Sequence, residues 1–563
     1  MSEFAYHFTK CFAPHLTKLM GTIGIVLFML AAVVLSEVLT RAIPFAVPTP
    51  LVQIALGALI AAVSHQEVRL DPEVFFLLFL PPLLFVDGWR IPKQGLLRDK
   101  DTILELALGL VIVTVIGMGF FIHWMIPAMP LPIAFALAAI VSPTDPVAVS
   151  AITARVPVPR RIMHVLEGES LLNDASGLVC FRFAVAAMLT GSFVLSDAAV
   201  TFVRLALGGV AVGALVTLAM MWAKNWVSLR FGEEAGSQVL ISLLIPFAAY
   251  EAAEHLQCSG ILAAVAAGVT MSYAELTGRT LAATRMQRAA VWDTVRFALN
   301  GVMFVLLGEQ LPGIFAGAVE AVRQSNHEDP WWLAVYVLGI NFGLACLRFG
   351  WVWVSVRFSA FVARLRGQPS IEKPGWRLIA AMSVAGVRGA ITLAGVLTLP
   401  LTLSGDTPWP ARDLTIFLAA GVIILSLTAA SFALPRLLAG LQAPPESLHE
   451  AEIDRARAAA AEAAIREIER ARLQLAGGPG DADLYAEATA RVIDIYRRRV
   501  EGQNISENAA RIRRGDEIER TLRLIGLRAE RDTYFTLARA SDLSDANTRK
   551  LVREIDLLEE RLR

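Results

Sequence analysis

The sequence predicts an all-α polytopic membrane protein with a helical tail outside the bilayer. Three observations lead there. Apolar runs follow one another up to about residue 441, each near the roughly 20-residue length that spans a bilayer. Only 18% of the residues are charged, against about 25% in ordinary soluble domains. The charge is also concentrated late in the chain, where LHEAEIDRARAAAAEAAIREIERARLQ opens a stretch rich in Ala, Glu, Arg and Leu. The chain therefore divides into a transmembrane part, 1–441, and a helical tail, 442–563.

By apolar length there are about thirteen spans. The first seven fall near 20–40, 44–63, 73–88, 103–127, 131–153, 162–190 and 199–222. The rest fall near 236–256, 258–273, 295–316, 331–356, 376–402 and 413–438. The loops between them differ in charge. Basic residues follow span 3 (Arg90, Lys93, Arg98, Lys100) and span 5 (Arg155, Arg160, Arg161). They follow span 9 (Arg279, Arg285, Arg288, Arg296) and span 11 (Arg357, Arg364, Arg366, Lys373) as well. The alternate loops are acidic or neutral. Positive loops stay in the cytoplasm, so the tail is expected there and the N-terminus outside. Lys10 and Lys18 fit that orientation less well. The first twenty residues show no cleavable signal sequence.

Five polar features interrupt the apolar runs. SPTDPVAVS (142–150) places Thr144 and Asp145 between Pro143 and Pro146. EGESLLNDASG in span 6 carries Glu169, Ser170, Asn173 and Asp174. LACLRFGWVW carries Arg348, and SVAGVRGAITLAG carries Arg388 among glycines. FFLLFLPPLLFVDGW has paired prolines, Pro81 and Pro82, and then Asp87. Charges at membrane depth are costly and mark functional sites or pairs. Residues four apart share a helix face, so Ser170 lies with Asp174, and Glu169 lies with Asn173 on the adjacent face. A buried acid needs a partner; Glu169 reads as half of an ion pair, with Arg348 the best candidate. The arginines are too few to neutralise every acid, so Asp174 reads as functional. Asp87, close to a loop, reads as interfacial.

Two spans break. SPTDP interrupts the second to last of the first six spans, and AGVRGA the second to last of the last six. Proline removes a helix hydrogen bond and clashes with the preceding turn. Gly- or Pro-interrupted segments in corresponding positions point to an inverted repeat with a site between its halves. Half-helix ends then lie in the membrane, positive at N-termini and negative at C-termini. Asp145 is expected to offset the positive ends and Arg388 the negative ones. Free carbonyls of the unwound backbone, with Asp145, make the site attractive to cations.

The stretches FFLLFLPPLLFVDGWRI, SPTDPVAV, EGESLLNDASGLV and GVRGAITLAG together resemble the monovalent cation/proton antiporters, in the bacterial sodium/proton exchanger branch (NhaP/NHE-like). The resemblance covers the membrane part. It implies a thirteen-helix fold of two inverted six-helix repeats, a homodimer in the plasma membrane, and Na⁺ and H⁺ as substrates. It places the cation and proton site at Asp174, with Asn173, Ser170, Thr144 and Asp145 as further ligands or supports. It assigns Glu169 and Arg348 to the intramembrane ion pair and Arg388 to the second helix break. Members with Asn-Asp at the position of Asn173 and Asp174 are the electroneutral ones. Many relatives carry an acid four residues after the second proline; here that position is Val86, and the acid, Asp87, comes one later.

Other classes fit less well. The four cysteines, Cys11, Cys180, Cys258 and Cys346, are scattered without a CxxC pair, which argues against a disulfide framework or zinc site. There is no HExxH, and a membrane aspartyl protease would need a Gly-x-Gly-Asp signature that the spans lack. A cation channel or ion sensor using the same acids remains the alternative to exchange. No cofactor or nucleic-acid partner is expected. The tail shows no nucleotide-binding glycine fingerprint. It reads as two or three amphipathic helices, broken at 477–483 and at 501–504, that aid assembly.

Overall fold

The computed structural model describes residues 24, 26–43, 47–64, 72–91, 103–145, 149, 160–191, 195–232, 234–275, 282–324, 329, 331–365, 375–400, 402–403, 407, 409–439, 447–475, 482–501, 507–539 and 545–562. The chain divides into two compact units, Met1–Gln442 and Ala443–Arg563.

The first unit begins with α1 (residues 26–42), α2 (Thr49–Ser64) and α3 (Pro72–Arg90). A π-helical turn, Glu105–Leu110, leads into α4 (Val111–Met125), followed by α5 (Leu131–Val141) and α6 (Arg160–Thr190). Then come α7 (Leu195–Phe231), α8 (Ala235–His255), α9 (Gly260–Glu275) and α10 (Ala282–Gln324). The unit closes with α11 (Trp332–Leu365), the two short helices α12 (Trp376–Val384) and α13 (Ala390–Leu397), and α14 (Arg412–Leu438). Among the described residues, seven helices are long and apolar enough to cross a membrane by length and composition. In α7, Val203, Leu207, Leu215 and Leu218 are exposed, and Trp222 and Trp226 stand exposed toward its C-terminal end. Such a surface suits lipid, with aromatic rings at the headgroup level.

Small residues let the helices approach. Gly57 on α2 and Gly308 on α10 face each other's backbones, so a Cβ on Gly57 would strike the Val305 carbonyl and one on Gly308 the Ile54 carbonyl. In lipid, such backbone contact replaces hydrophobic pressure as the source of helix association. At the centre lies α5, whose residues from Ile133 to Val141, Phe135 apart, are all buried. It packs on α4, α6, α13 and α14.

The paired prolines Pro81 and Pro82 lie inside α3, which runs unbroken through them. Two expectations change. Arg285, Arg288 and Arg296 are not on a loop: they belong to α10, which starts at Ala282. Its 43 residues rise about 65 Å, roughly twice the hydrocarbon thickness. Ala, Arg, Met and Gln are strong helix formers, so AATRMQRAA extends the apolar span instead of ending it. Arg357 and Arg364 likewise lie in a helix, α11, and not on a loop.

The basic residues Lys93, Arg98, Lys100, Arg155, Arg279, Arg366 and Lys373 lie outside the described residues, as do Lys10, Cys11, Lys18 and Pro146.

The second unit has four helices among the described residues, not two or three: α15 (Ser447–Leu475), α16 (Ala482–Glu501), α17 (Glu507–Arg539) and α18 (Asp545–Leu562). They pack as the pairs α15–α16 and α17–α18. Arg531 on α17 holds the latter pair through Asp556, 3.0 Å away, and Glu559. The third division, after Arg539, was hidden because Ser-Asp-Leu-Ser-Asp lacks the glycines that marked the first two.

Candidate ion site at two unwound segments

The α5 helix stops at Val141, and residues 143–145 are not helical. Residues 146–159 lie outside the described residues, Val149 apart. The second break is described in full: α12 ends at Val384 and α13 begins at Ala390, with unwound backbone between. The two segments meet through a backbone bond, Asp145 N–H to the Val387 carbonyl at 2.7 Å.

Breaking two helices frees carbonyls at negative half-helix ends. Arginines meet them. Arg388 Nε donates to the Val141 carbonyl, the last of α5, at 2.8 Å, and its Nη1 donates to the Gly386 carbonyl. Arg348 Nε donates to the Met382 carbonyl in the last turn of α12 at 3.1 Å. That second contact had no sequence signal, because Arg348 is read there only as an ion-pair partner. At the opposite polarity, the Asp145 carboxylate rests against Gly389, the residue preceding α13, where any Cβ would collide with it.

Beside the crossing runs α6. Its polar residues are buried: Glu169, Ser170, Asn173 and Asp174 all lie within 5% exposure. Glu169 forms a two-pronged pair with Arg348, Nη1 to Oε1 and Nη2 to Oε2, the latter at 2.8 Å. Ser170 donates to the Thr144 carbonyl at 2.7 Å, and Asn173 Nδ2 to Thr144 Oγ1 at 3.0 Å. Ser176 donates to the Ala107 carbonyl, 2.7 Å away in the π-helical turn before α4. A π turn shifts its hydrogen bonds and recurs at functional sites; here it gives α6 an acceptor to hold.

Asp174 differs from its neighbours. It is buried, forms no hydrogen bond or ion pair among the described residues, and its nearest charges are the acids Asp87, Asp145 and Glu169. Together with Asp87, Asp145, Thr144, Ser170, Asn300 and Thr392 it lines a cavity of about 20 Å³. That is room for about one water or a small dehydrated cation.

Asp87 is a correction. Read from sequence as interfacial, it lines the same cavity as Asp174. The reason is the continuity of α3: Leu83 and Asp87 are four apart and share the inward face. Its Oδ1 accepts from Arg296 Nη2 at 2.9 Å. Asn300, one turn from Arg296 on α10, and Thr392 on α13 are cavity residues that sequence reasoning missed. An amide among the apolar residues 297–308 is a signal by which Asn300 is findable.

An all-helical membrane unit, two unwound segments meeting beside buried acids, and an ion-sized cavity define a membrane ion transporter. Residues 9–440 match the family described as "Sodium/hydrogen exchanger, transmembrane". The chain belongs to that family of cation/proton antiporters. It is 42% identical over 541 residues to the uncharacterized Na⁺/H⁺ exchanger YjcE of Escherichia coli K12, covering 95% of this chain and 97% of that one. It is 44% identical over 414 residues to a sodium, potassium, lithium and rubidium/H⁺ antiporter of Bacillus pumilus, covering 73% of this chain and 60% of that one. Among solved structures, the sodium proton antiporter MjNhaP1 of Methanocaldococcus jannaschii superposes with a TM-score of 0.55 at 18% identity. The match covers 75% of this chain and 99% of that one. At that identity the likeness speaks to the fold.

Proposed function

We propose that the protein is a secondary active antiporter that exchanges cytoplasmic sodium for external protons, one for one, by alternating access. It serves sodium and pH homeostasis in the cell's inner membrane, as a homodimer with its tail in the cytoplasm. The observation that carries this reading is Asp174: a buried carboxylate on a small cavity, with no counter-charge among the described residues. A carboxylate out of water needs a positive partner. A proton and a cation each supply one, and they exclude each other. Thr144, Ser170, Asn173 and Asp145 are the supporting ligands. Glu169 and Arg348 fasten α6 to α11 and α12, and Arg388 offsets the half-helix ends. The Bacillus relative's name supports potassium and lithium as further cargo.

Stoichiometry follows from which groups can lose a proton. Asn173 does not titrate, and the guanidinium of Arg348 is effectively never deprotonated. One proton against one sodium moves no net charge. The test is purified protein in proteoliposomes. A sodium gradient is expected to drive proton movement, while an imposed voltage at equal pH and sodium drives no sodium accumulation. Accumulation on voltage alone would overturn the one-for-one reading. A channel would dissipate a pH gradient without driving sodium.

Gly389 offers a finer test. Gly389→Ala puts a methyl where the Asp145 carboxylate lies. Exchange is expected to slow about tenfold, equivalent to about 1.4 kcal/mol, and the melting temperature to fall, because the methyl also meets the Asp145 Cβ. An unaltered rate would show that the position of Asp145 does not matter to the cycle.

A further inference from the structure

Three carboxylates, Asp87, Asp145 and Asp174, line one cavity of about 20 Å³. Like charges this close in a medium of low polarity repel strongly, so each needs its own account. Asp145 lies against the start of α13, the positive end of a half-helix. Asp174 is the exchanging group. Asp87 has a fixed cation of its own, the guanidinium of Arg296 at 2.9 Å, carried by α10. The other charges around Asp87 are Arg90 on the next turn of α3, itself joined to Asp293 of α10, and Glu167 on α6. Arg296 is therefore the cation in direct contact with Asp87 among the described residues, and a permanent one.

We propose that Arg296 sets the charge balance of transport: by pairing permanently with Asp87 it withdraws a second cavity carboxylate from proton exchange. The inference rests on the one-for-one reading above. With Arg296 in place, only Asp174 trades a proton for sodium. Without it, Asp87 becomes a second uncompensated carboxylate on the same cavity. It takes up a proton in the proton-loaded state and gives it up when sodium arrives between the two acids. Two protons then move against one sodium, and each cycle carries one positive charge in the proton direction.

The experiment compares wild type, Arg296→Gln, Arg296→Lys and the double variant Asp87→Asn/Arg296→Gln in proteoliposomes at equal pH and sodium on both sides. An interior-positive potential is applied. Wild type, Arg296→Lys and the double variant are expected to accumulate no sodium. Arg296→Gln is expected to accumulate it, because sodium entering against two leaving protons is favoured by that voltage. A second measurement covers a variant too impaired to transport. In detergent, proton release on sodium binding, read by calorimetry in buffers of different ionisation heat, is expected to rise from about one to about two per sodium in Arg296→Gln. A folded Arg296→Gln that ignores voltage and releases one proton per sodium overturns the proposal. Voltage-driven uptake by wild type would instead overturn the one-for-one reading.

Discussion

Asp174→Asn is expected to abolish sodium-driven proton movement while leaving a folded protein. The amide keeps the shape of the carboxylate but neither takes a proton nor neutralises a sodium ion, so the site no longer alternates between two loads. Its stability should hold or rise, because Asp174 is buried with only acids as its nearest charges and forms no bond among the described residues. Removing an uncompensated buried charge relieves a desolvation cost. The measurements are fluorescence-detected proton flux in proteoliposomes and the melting temperature of the purified protein. Wild-type exchange in this variant would exclude Asp174 as the carrier.

Breaking the Glu169–Arg348 pair is expected to act in the opposite sense, on stability before turnover. Both partners are buried, Glu169 fully, and Arg348 also caps α12 through the Met382 carbonyl. Glu169→Gln or Arg348→Gln strands one charge inside the protein, typically costing about 3–5 kcal/mol. Each single variant should therefore melt well below Asp174→Asn. Replacing both partners by apolar residues of similar volume should recover part of the loss, since no orphan charge remains. A double-mutant cycle measures the coupling. Equal melting temperatures for the single variants and Asp174→Asn would show that the pair does not fasten α6 to α11.

These two predictions divide four neighbouring residues of α6 into separate duties. Asp174 faces the cavity and the acids; Glu169, five residues earlier, faces α11. Ser170 and Asn173 tie α6 to the unwound Thr144 by hydrogen bonds of 2.7 and 3.0 Å. A short polar run on one helix thus sets Asp174 beside the residues that tie α6 to Thr144 and, through Arg348, to α12.

The sequence by itself determined the all-helical membrane architecture, because bilayer crossing demands apolar length and internally bonded backbone, and both are written locally. It also marked the two interior breaks: Pro143 beside Asp145 and the glycines around Arg388 act through their own backbones. Helical spacing determined which α6 residues share a face. Tertiary structure decided the rest. Nothing in PPLLFVDGW says that Asp87 looks into the Asp174 cavity, since that depends on α3 running unbroken and on where α10 lies beside it. Nothing in AATRMQRAAVWDTVRF says that Arg296, at the start of the span near 295–316, faces Asp87. Arg348 reaching the Met382 carbonyl, and Asn300 and Thr392 lining the cavity, likewise depend on helices distant in sequence. Charge compensation in a membrane is settled by ångström-scale distances between segments, whereas span length and helix breaks are settled within them.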